Sequence, residues 1–309
     1  MPRLITSGQP LTEALIAAAR AHWGLGDAQI TLVAARENHV YRVDLPTGTA
    51  ALRLHRRGYR SLAELNSELA WMDMLAKAGI AVPAPIAASD RSQLLMHDGI
   101  IIDMLTWING HPLGEVDATE AIYFDLGRLM AQMHALADRW TPPTGFERPE
   151  WDTVGDTPTW GRFWENPLLT DTQRTKLTRF RSNAQHALAQ LHAPDIGLIH
   201  ADLMPDNVML EGDTLFPIDF DDGGFGHRLF DVATVTFRSR RTDPTGALAE
   251  ATIAGYQSLR GLDTASLPLF EALRACTYVG WNISRMDEDP TRNARFITAA
   301  EQSIARLKL

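Results

Sequence analysis

The residues from Ile199 to Asp231 read IHADLMPDNVMLEGDTLFPIDFDDGGFGHRLFD. Asp202 and Asn207 stand in it with four residues between them. The apolar run Val208, Met209, Leu210, the polar turn Glu211-Gly212-Asp213 and a second apolar run ending at Ile218 predict a hairpin. Asp219 lies at its far end. A single Asp in such a loop is more often a turn or cap residue than a catalyst. The ordered set His200, Asp202, Asn207 and Asp219 around a hairpin is far rarer by chance, and its reading decides the fold.

Loop, hairpin and distal carboxylate together match the needs of phosphoryl transfer from Mg·ATP. One Asp orients and deprotonates a hydroxyl nucleophile, while an Asn and a second Asp hold Mg²⁺ against the phosphates. Magnesium prefers hard oxygen donors, which Asp and Asn supply. The kinase catalytic loop follows H-R-D-x-x-x-x-N. His200, Asp202 and Asn207 keep that spacing, with Ala201 in the arginine's place. The expected roles are Asp202 as the base and Asn207 and Asp219 as metal ligands.

On these residues the chain resembles the aminoglycoside phosphotransferase and choline kinase superfamily. Its loop usually reads H-G-D-x-x-x-x-N, and its metal-binding Asp sits in a context like Ile218-Asp219-Phe220. The resemblance is carried by residues 199–235 and extends over about 36–110. It implies a bilobal, protein-kinase-like α+β fold: an N-terminal lobe of antiparallel sheet plus helix, residues 1–106, and a mainly helical C-terminal lobe, residues 107–309. ATP and Mg²⁺ are the implied cofactors, and a small-molecule hydroxyl the implied acceptor. In the family an Asp at the position of Asp231 braces the catalytic loop from within.

The N-terminal pattern fits that expectation. Leu11, Leu15, Ile16, Ala19 and Trp23 have helical spacing. Ile30 and Leu32, then Tyr41, Val43 and Leu45, alternate as strands around the turn Arg36-Glu37-Asn38-His39. In a kinase-like fold this hairpin covers the ATP phosphates, so Asn38 is a candidate on the nucleotide side; a plain turn asparagine is the alternative. A third strand runs from Ala50 to Leu54. Such folds carry a Lys there for the α/β-phosphates, and Arg53 is the cation that matches. Ser61 to Glu64 is a capping box opening a helix with the stripe Leu62, Leu65, Leu69, Met72, Leu75. The family pairs a Glu of this helix with the strand cation; Glu68 fits by position, with Glu64 as the fallback. Residues 93–97 and 100–105 form a further hairpin around Asp98-Gly99, and Thr106 to Pro112 reads as the hinge.

From Asp117 the pattern turns helical. Asp117 is a candidate cap, with Glu120 three residues on, and His134 reads as structural. Residues 140–170 are irregular, with four tryptophans among prolines, glycines and carboxylates. Either the rings pack the loop down or they cage a cation. Asp221 reads as a loop residue, a further metal ligand or a contact to a cationic substrate. Helices are expected at about 171–192, 244–260, 266–286 and 291–307, with Arg274, Arg285, Arg292 and Arg295 mostly solvated; contact of one of them with substrate is the alternative.

The 309 residues are 45% hydrophobic and 22% charged, with a formal net charge of −9. That argues against general nucleic-acid binding, which leaves a basic footprint, and suits a cationic acceptor. The one cysteine, Cys276, excludes an internal disulfide. No stretch reads as a secretory signal or membrane span, so a cytoplasmic protein is expected. The favoured acceptor is an amino alcohol, an amino sugar or a hydroxy amino acid. A protein Ser/Thr kinase resembling the bacterial stress response kinase A group is one alternative. A nucleotide-binding pseudokinase acting as a binding module is the other.

Overall fold

Tyr41 and Val43 are buried and Arg42 and Asp44 are not, as a strand with one covered face requires. The structure is a computed structural model that describes residues 13–35, 38–285 and 289–307. Leu11 of the first helical stripe and Arg36 and Glu37 of the first hairpin turn lie outside the described residues.

In chain order the elements are α1 (Glu13–Trp23), β1 (Gln29–Ala35), β2 (His39–Leu45), β3 (Gly48–Leu54), α2 (Leu62–Lys77), β4 (Leu94–His97), β5 (Ile100–Thr106) and the short β6 (His111–Pro112). Then follow α3 (Glu120–Ala137), α4 (Asp171–Ala189), β7 (Ile196–Ile199), β8 (Val208–Glu211), β9 (Thr214–Pro217) and β10 (Gly224–His227). The chain closes with α5 (Leu229–Thr242), α6 (Ala247–Gln257), α7 (Leu267–Trp281) and α8 (Pro290–Ala305).

These elements fall into two compact units. The first comprises Met1–His111, Thr141–Arg148 and Met209–Asp221. Its sheet has the order β1-β2-β3-β5-β4 with antiparallel neighbours. Leu15 and Ala19 of α1 cover one face, packed into a core with Val43, Leu52, Leu54, Ile102 and Met104. The capping box of α2 forms as expected: Glu64 N donates to Ser61 Oγ at 3.0 Å and Ser61 N to Glu64 Oε2 at 2.8 Å. The β4–β5 turn places Asp98 and Gly99 at φ 49° and 71°, the left-handed pair of a tight hairpin.

The second unit comprises Pro112–Trp140, Pro149–Val208 and Asp222–Leu309. Helix α3 packs on α6, and α7 packs between α5 and α8. The cap of α3 is Thr119, which accepts from Ile122 N at 3.3 Å, and not Asp117. The helix starts at Glu120, one residue past that hydroxyl, and leaves Asp117 before the first turn. Strand β7 pairs antiparallel with β10, setting Ile199 opposite Gly224. Among the described residues no helix is long and apolar enough to cross a membrane.

Candidate active site

In the first unit, alternation along β3 sends Leu52 and Leu54 into the α1-facing core and leaves Arg53 for the other face, where α2 lies. Arg53 is 7% exposed. Its Nε and Nη2 donate to the two carboxylate oxygens of Asp103 at 2.8 and 2.6 Å, and its Nη1 donates to Glu68 Oε1 at 2.9 Å. The expected pairing of the strand cation with Glu68 is therefore present, and Glu64 is occupied instead by its cap and Arg60. Asp103, which the sequence reading passed over, is the larger partner. His55 Nε2 shares its Oδ2 at 2.8 Å. Burial works to raise the Asp103 pKa, but the charges of Arg53 and His55 outweigh it and hold the carboxyl well below its usual range. Burial disfavours the Arg53 cation, yet Asp103 and Glu68 raise its pKa. A buried charge persists only when paired in this way. Of the five guanidinium N–H groups, three are spent on carboxylates.

Arg148 ties the same cluster to the loop after β9. It lies 3.7 Å from Glu68 Oε2 and donates through Nη2 to the carbonyls of Phe220 and Asp221, both at 2.7 Å. Asp221 is buried, with Asn38 Nδ2 at 3.4 Å and Arg60 at 3.9 Å. Asn38 also accepts from Arg56 N at 3.3 Å. Asp219 is exposed and adopts φ 64°.

In the second unit the loop after β7 is built on Asp231. Its carboxylate accepts the adjacent amides of His200 and Ala201 at 2.8 and 2.7 Å. That grip holds Ala201 at φ 66°, a conformation costly for any residue with a Cβ. His134, on α3, meets Asp231 Oδ2 through Nε2 at 3.1 Å and Tyr256 through Nδ1 at 2.8 Å. Burial keeps the His134 pKa below its ordinary value against the pull of Asp231. Asp231 thus braces the loop, as the resemblance implies, and His134, read only as structural, braces Asp231 in turn.

The loop delivers Asp202. Asn207 Nδ2 donates to Asp202 Oδ2 at 2.7 Å and to its carbonyl at 3.0 Å. This fixes the amide nitrogen of Asn207 on Asp202. Arg274 Nη2 donates to Asp202 Oδ1, and Nη1 to the Ala201 carbonyl at 3.3 Å. Burial pushes the Asp202 pKa up to about 6; Asp222 adds to the rise, and Arg274 and Asn207 oppose it. A carboxylate there is a stronger base than an ordinary Asp and is still ionised at neutral pH. Among the described residues no group of three or more His, Cys, Asp or Glu side chains forms a ready-made metal cage. Magnesium is commonly held by one or two protein oxygens plus substrate phosphates.

Arg274 is not solvated; it is fully buried on α7. Its guanidinium lies 4.6 Å from the Trp160 ring centroid and 4.4 Å from that of Tyr278. Trp160 of the tryptophan-rich segment therefore faces a cation, and that cation is the chain's own; Trp164 is buried against Phe163. Trp151 packs against Trp160 and Phe230 and donates to the Asp222 carbonyl at 2.7 Å. The sequence signal for Arg274 was present: an Arg inside an apolar helix, with Tyr278 one turn on.

The model of the phosphotransferase enzyme family matches residues 29–270. The chain belongs to that family. It is a phosphotransferase of the kinase type with the protein-kinase-like α+β fold. A microcompartment-associated aminopropanol kinase superposes with a TM-score of 0.81 at 30% identity, over 94% of this chain and 95% of that one. The amicoumacin kinase hAmiN, in complex with AMP-PNP, Ca²⁺ and Ami, superposes with a TM-score of 0.79 at 21% identity, over 93% and 92%. The homoserine kinase of Polaromonas naphthalenivorans is 29% identical over 81% of this chain and 78% of its own length.

Proposed function

We propose that this phosphotransferase moves the γ-phosphoryl of ATP to the hydroxyl of a small molecule bearing an amine: an amino alcohol, a hydroxy amino acid or an amino sugar. The observation that carries this reading is the Asp202 carboxylate, fixed by Asn207 and Arg274 and more basic than an ordinary Asp. Asp202 accepts the acceptor's hydroxyl proton as the oxygen attacks. Asn207 and Asp219 are the proposed magnesium ligands. Bound Mg²⁺ neutralises charge on the transferring phosphates. Arg53 is proposed to face the α/β-phosphates with its two remaining N–H groups, held by Glu68 and Asp103, and Asn38 to steady the nucleotide cover. Residues 1–106 serve the nucleotide in this scheme, and 107–309 the catalysis and the acceptor.

An amine on the acceptor is favoured by the negative field that Asp222 adds beside Asp202 and by the net charge of −9. The names of relatives acting on an aminopropanol and a homoserine point the same way.

The test is ADP release from Mg·ATP by the wild type, Asp202→Ala and Asp219→Asn, against pooled amino alcohols, amino sugars and hydroxy amino acids and a generic protein acceptor. Release with one small-molecule pool, lost in both variants, supports the reading. Release with the protein acceptor alone replaces it with the protein-kinase alternative. An Asp219→Asn enzyme with full turnover removes Asp219 from the metal site.

A further inference from the structure

Arg274 belongs to no catalytic motif, yet it makes two contacts to the catalytic turn and a third to Tyr278, which itself reaches that turn. One Nη2 hydrogen bond goes to Asp202 Oδ1 and another, at 2.8 Å, to the Tyr278 hydroxyl. Nη1 reaches the carbonyl of Ala201 at 3.3 Å. Tyr278 in turn donates to Met204 Sδ. Residues 201, 202 and 204 are thus all tied to one face of α7, where positions 274 and 278 lie a turn apart.

The guanidinium is itself clamped. The Trp160 and Tyr278 rings lie within cation–π distance, with Phe230 at 5.8 Å. Trp160 is brought there by a backbone approach that only a glycine permits. A Cβ on Gly280 of α7 would stand 2.6 Å from the Trp160 carbonyl and 2.5 Å from that of Gly161. Burying a guanidinium disfavours folding, and a packed apolar side chain often does as well or better for stability. Stability alone gives little reason for this charge to sit against Asp202.

We propose that Arg274, clamped by Trp160 and Tyr278, is a positioning residue for phosphoryl transfer that fixes the Asp202 carboxylate and the Ala201 turn in the orientation that meets the acceptor hydroxyl. Asn207 alone would leave the carboxylate held at one oxygen and free to rotate about its side-chain bonds. With Oδ1 and Oδ2 both engaged the plane of the carboxylate is set, and each oxygen keeps a second lone pair for the hydroxyl. The inference rests on the reading of Asp202 as the base.

The experiment compares wild type, Arg274→Met, Arg274→Lys, Trp160→Leu and Asp202→Ala. It measures kcat, KM for ATP, nucleotide affinity by direct titration and the thermal midpoint, using the acceptor pool that supports turnover. Arg274→Met is expected to lower kcat about 10²-fold, the loss that a small misplacement of a reacting group brings. Its nucleotide affinity stays at the wild-type value. Arg274→Lys restores part of the loss, since one N–H still reaches Oδ1. Trp160→Leu, which leaves every Asp202 contact in place but loosens the clamp, lowers kcat less and in the same direction. It keeps the proposal testable if Arg274→Met does not fold. A kcat at the wild-type value in folded Arg274→Met and Trp160→Leu, with Asp202→Ala dead, overturns the inference and leaves the base assignment standing. Full turnover by Asp202→Ala overturns both.

Discussion

Arg53 and Asp103 are registered partners on adjacent antiparallel strands, and the guanidinium grips both oxygens of the carboxylate while a third N–H reaches Glu68. A lysine makes a point contact where an arginine makes a fork. The arginine at this strand position is therefore matched by a second carboxylate on the neighbouring strand.

Asp103→Asn is expected to destabilise the protein by about 3–5 kcal/mol, the cost of breaking a buried pair by removing one partner. Urea denaturation reads this directly. A midpoint equal to the wild type would mean that Glu68 suffices for Arg53.

The proposed role of Asp202 as the base sets the pH dependence of turnover. Its pKa is raised to about 6, so the base is ionised above that pH and protonated below it. The acid limb of kcat/KM is expected near pH 6, about two units above the position set by an ordinary Asp. Asp222→Asn removes a neighbouring negative charge that raises this pKa and shifts the limb to lower pH. A limb that stays put in Asp222→Asn rules out that coupling.

Acid unfolding should proceed in two stages. His134 is held below its ordinary pKa by burial, so as pH falls through about 6.5 the unfolded chain takes up a proton that the native chain does not, and stability declines. Burial works to raise the Asp231 pKa, but hydrogen bonds to His134 and the loop amides lower it; Asp103 is held down as well. Their contribution is intact above about pH 4 and is lost as pH falls from there toward their native values. His134→Gln should flatten the first stage and weaken the Asp231 part of the second, leaving the Asp103 part. Stability measured by urea titration at a series of pH values separates the two.

Ala201 sits at φ 66°. Glycine carries no penalty there but costs more entropy to order. Ala201→Gly is expected to stabilise the protein by about 1 kcal/mol at most, with kcat unchanged. A clear loss of stability would show that the buried methyl matters more than the backbone strain.

Gly280→Ala should act on catalysis from a distance. Its new Cβ meets two backbone carbonyls, so the Trp160 segment must shift off α7. A loss of about 1–3 kcal/mol is expected from overpacking, with a fall in kcat and nucleotide affinity unchanged. A variant that loses stability but keeps its kcat would uncouple Trp160 from Asp202.

The parts that were legible in the sequence are those written in local spacing. His200, Asp202 and Asn207 sit on one loop, and the alternation of Tyr41, Val43 and Leu45 states which face of the strand is covered. Asp231 was legible because a resemblance supplied its role. Asp103 was not, because its meaning depends on which strand lies beside it. In the apolar run Ile100 to Leu105 a lone Asp is an anomaly, and only the register of β5 against β3 turns it into the partner of Arg53. Arg274 and Trp160 are more than a hundred residues apart in the chain, and no local pattern ties them. The spacing of the tryptophans left packing and a cation cage both open, because the cation that Trp160 meets comes from a helix far along the chain.

The first unit closes its core with pieces drawn from three separate stretches of chain, the last ending at Asp221. Trp71 of α2 packs edge-on against Phe220 at 5.1 Å, and buried Glu68 has Arg148 beside it. On the ribosome, then, the nascent sheet and its helix must wait until most of the chain has been made before that face is covered and that charge is balanced. A polypeptide halted after β5 would carry the whole sheet and still expose an aromatic surface to chaperones. Completion of the N-terminal unit is a late event of synthesis.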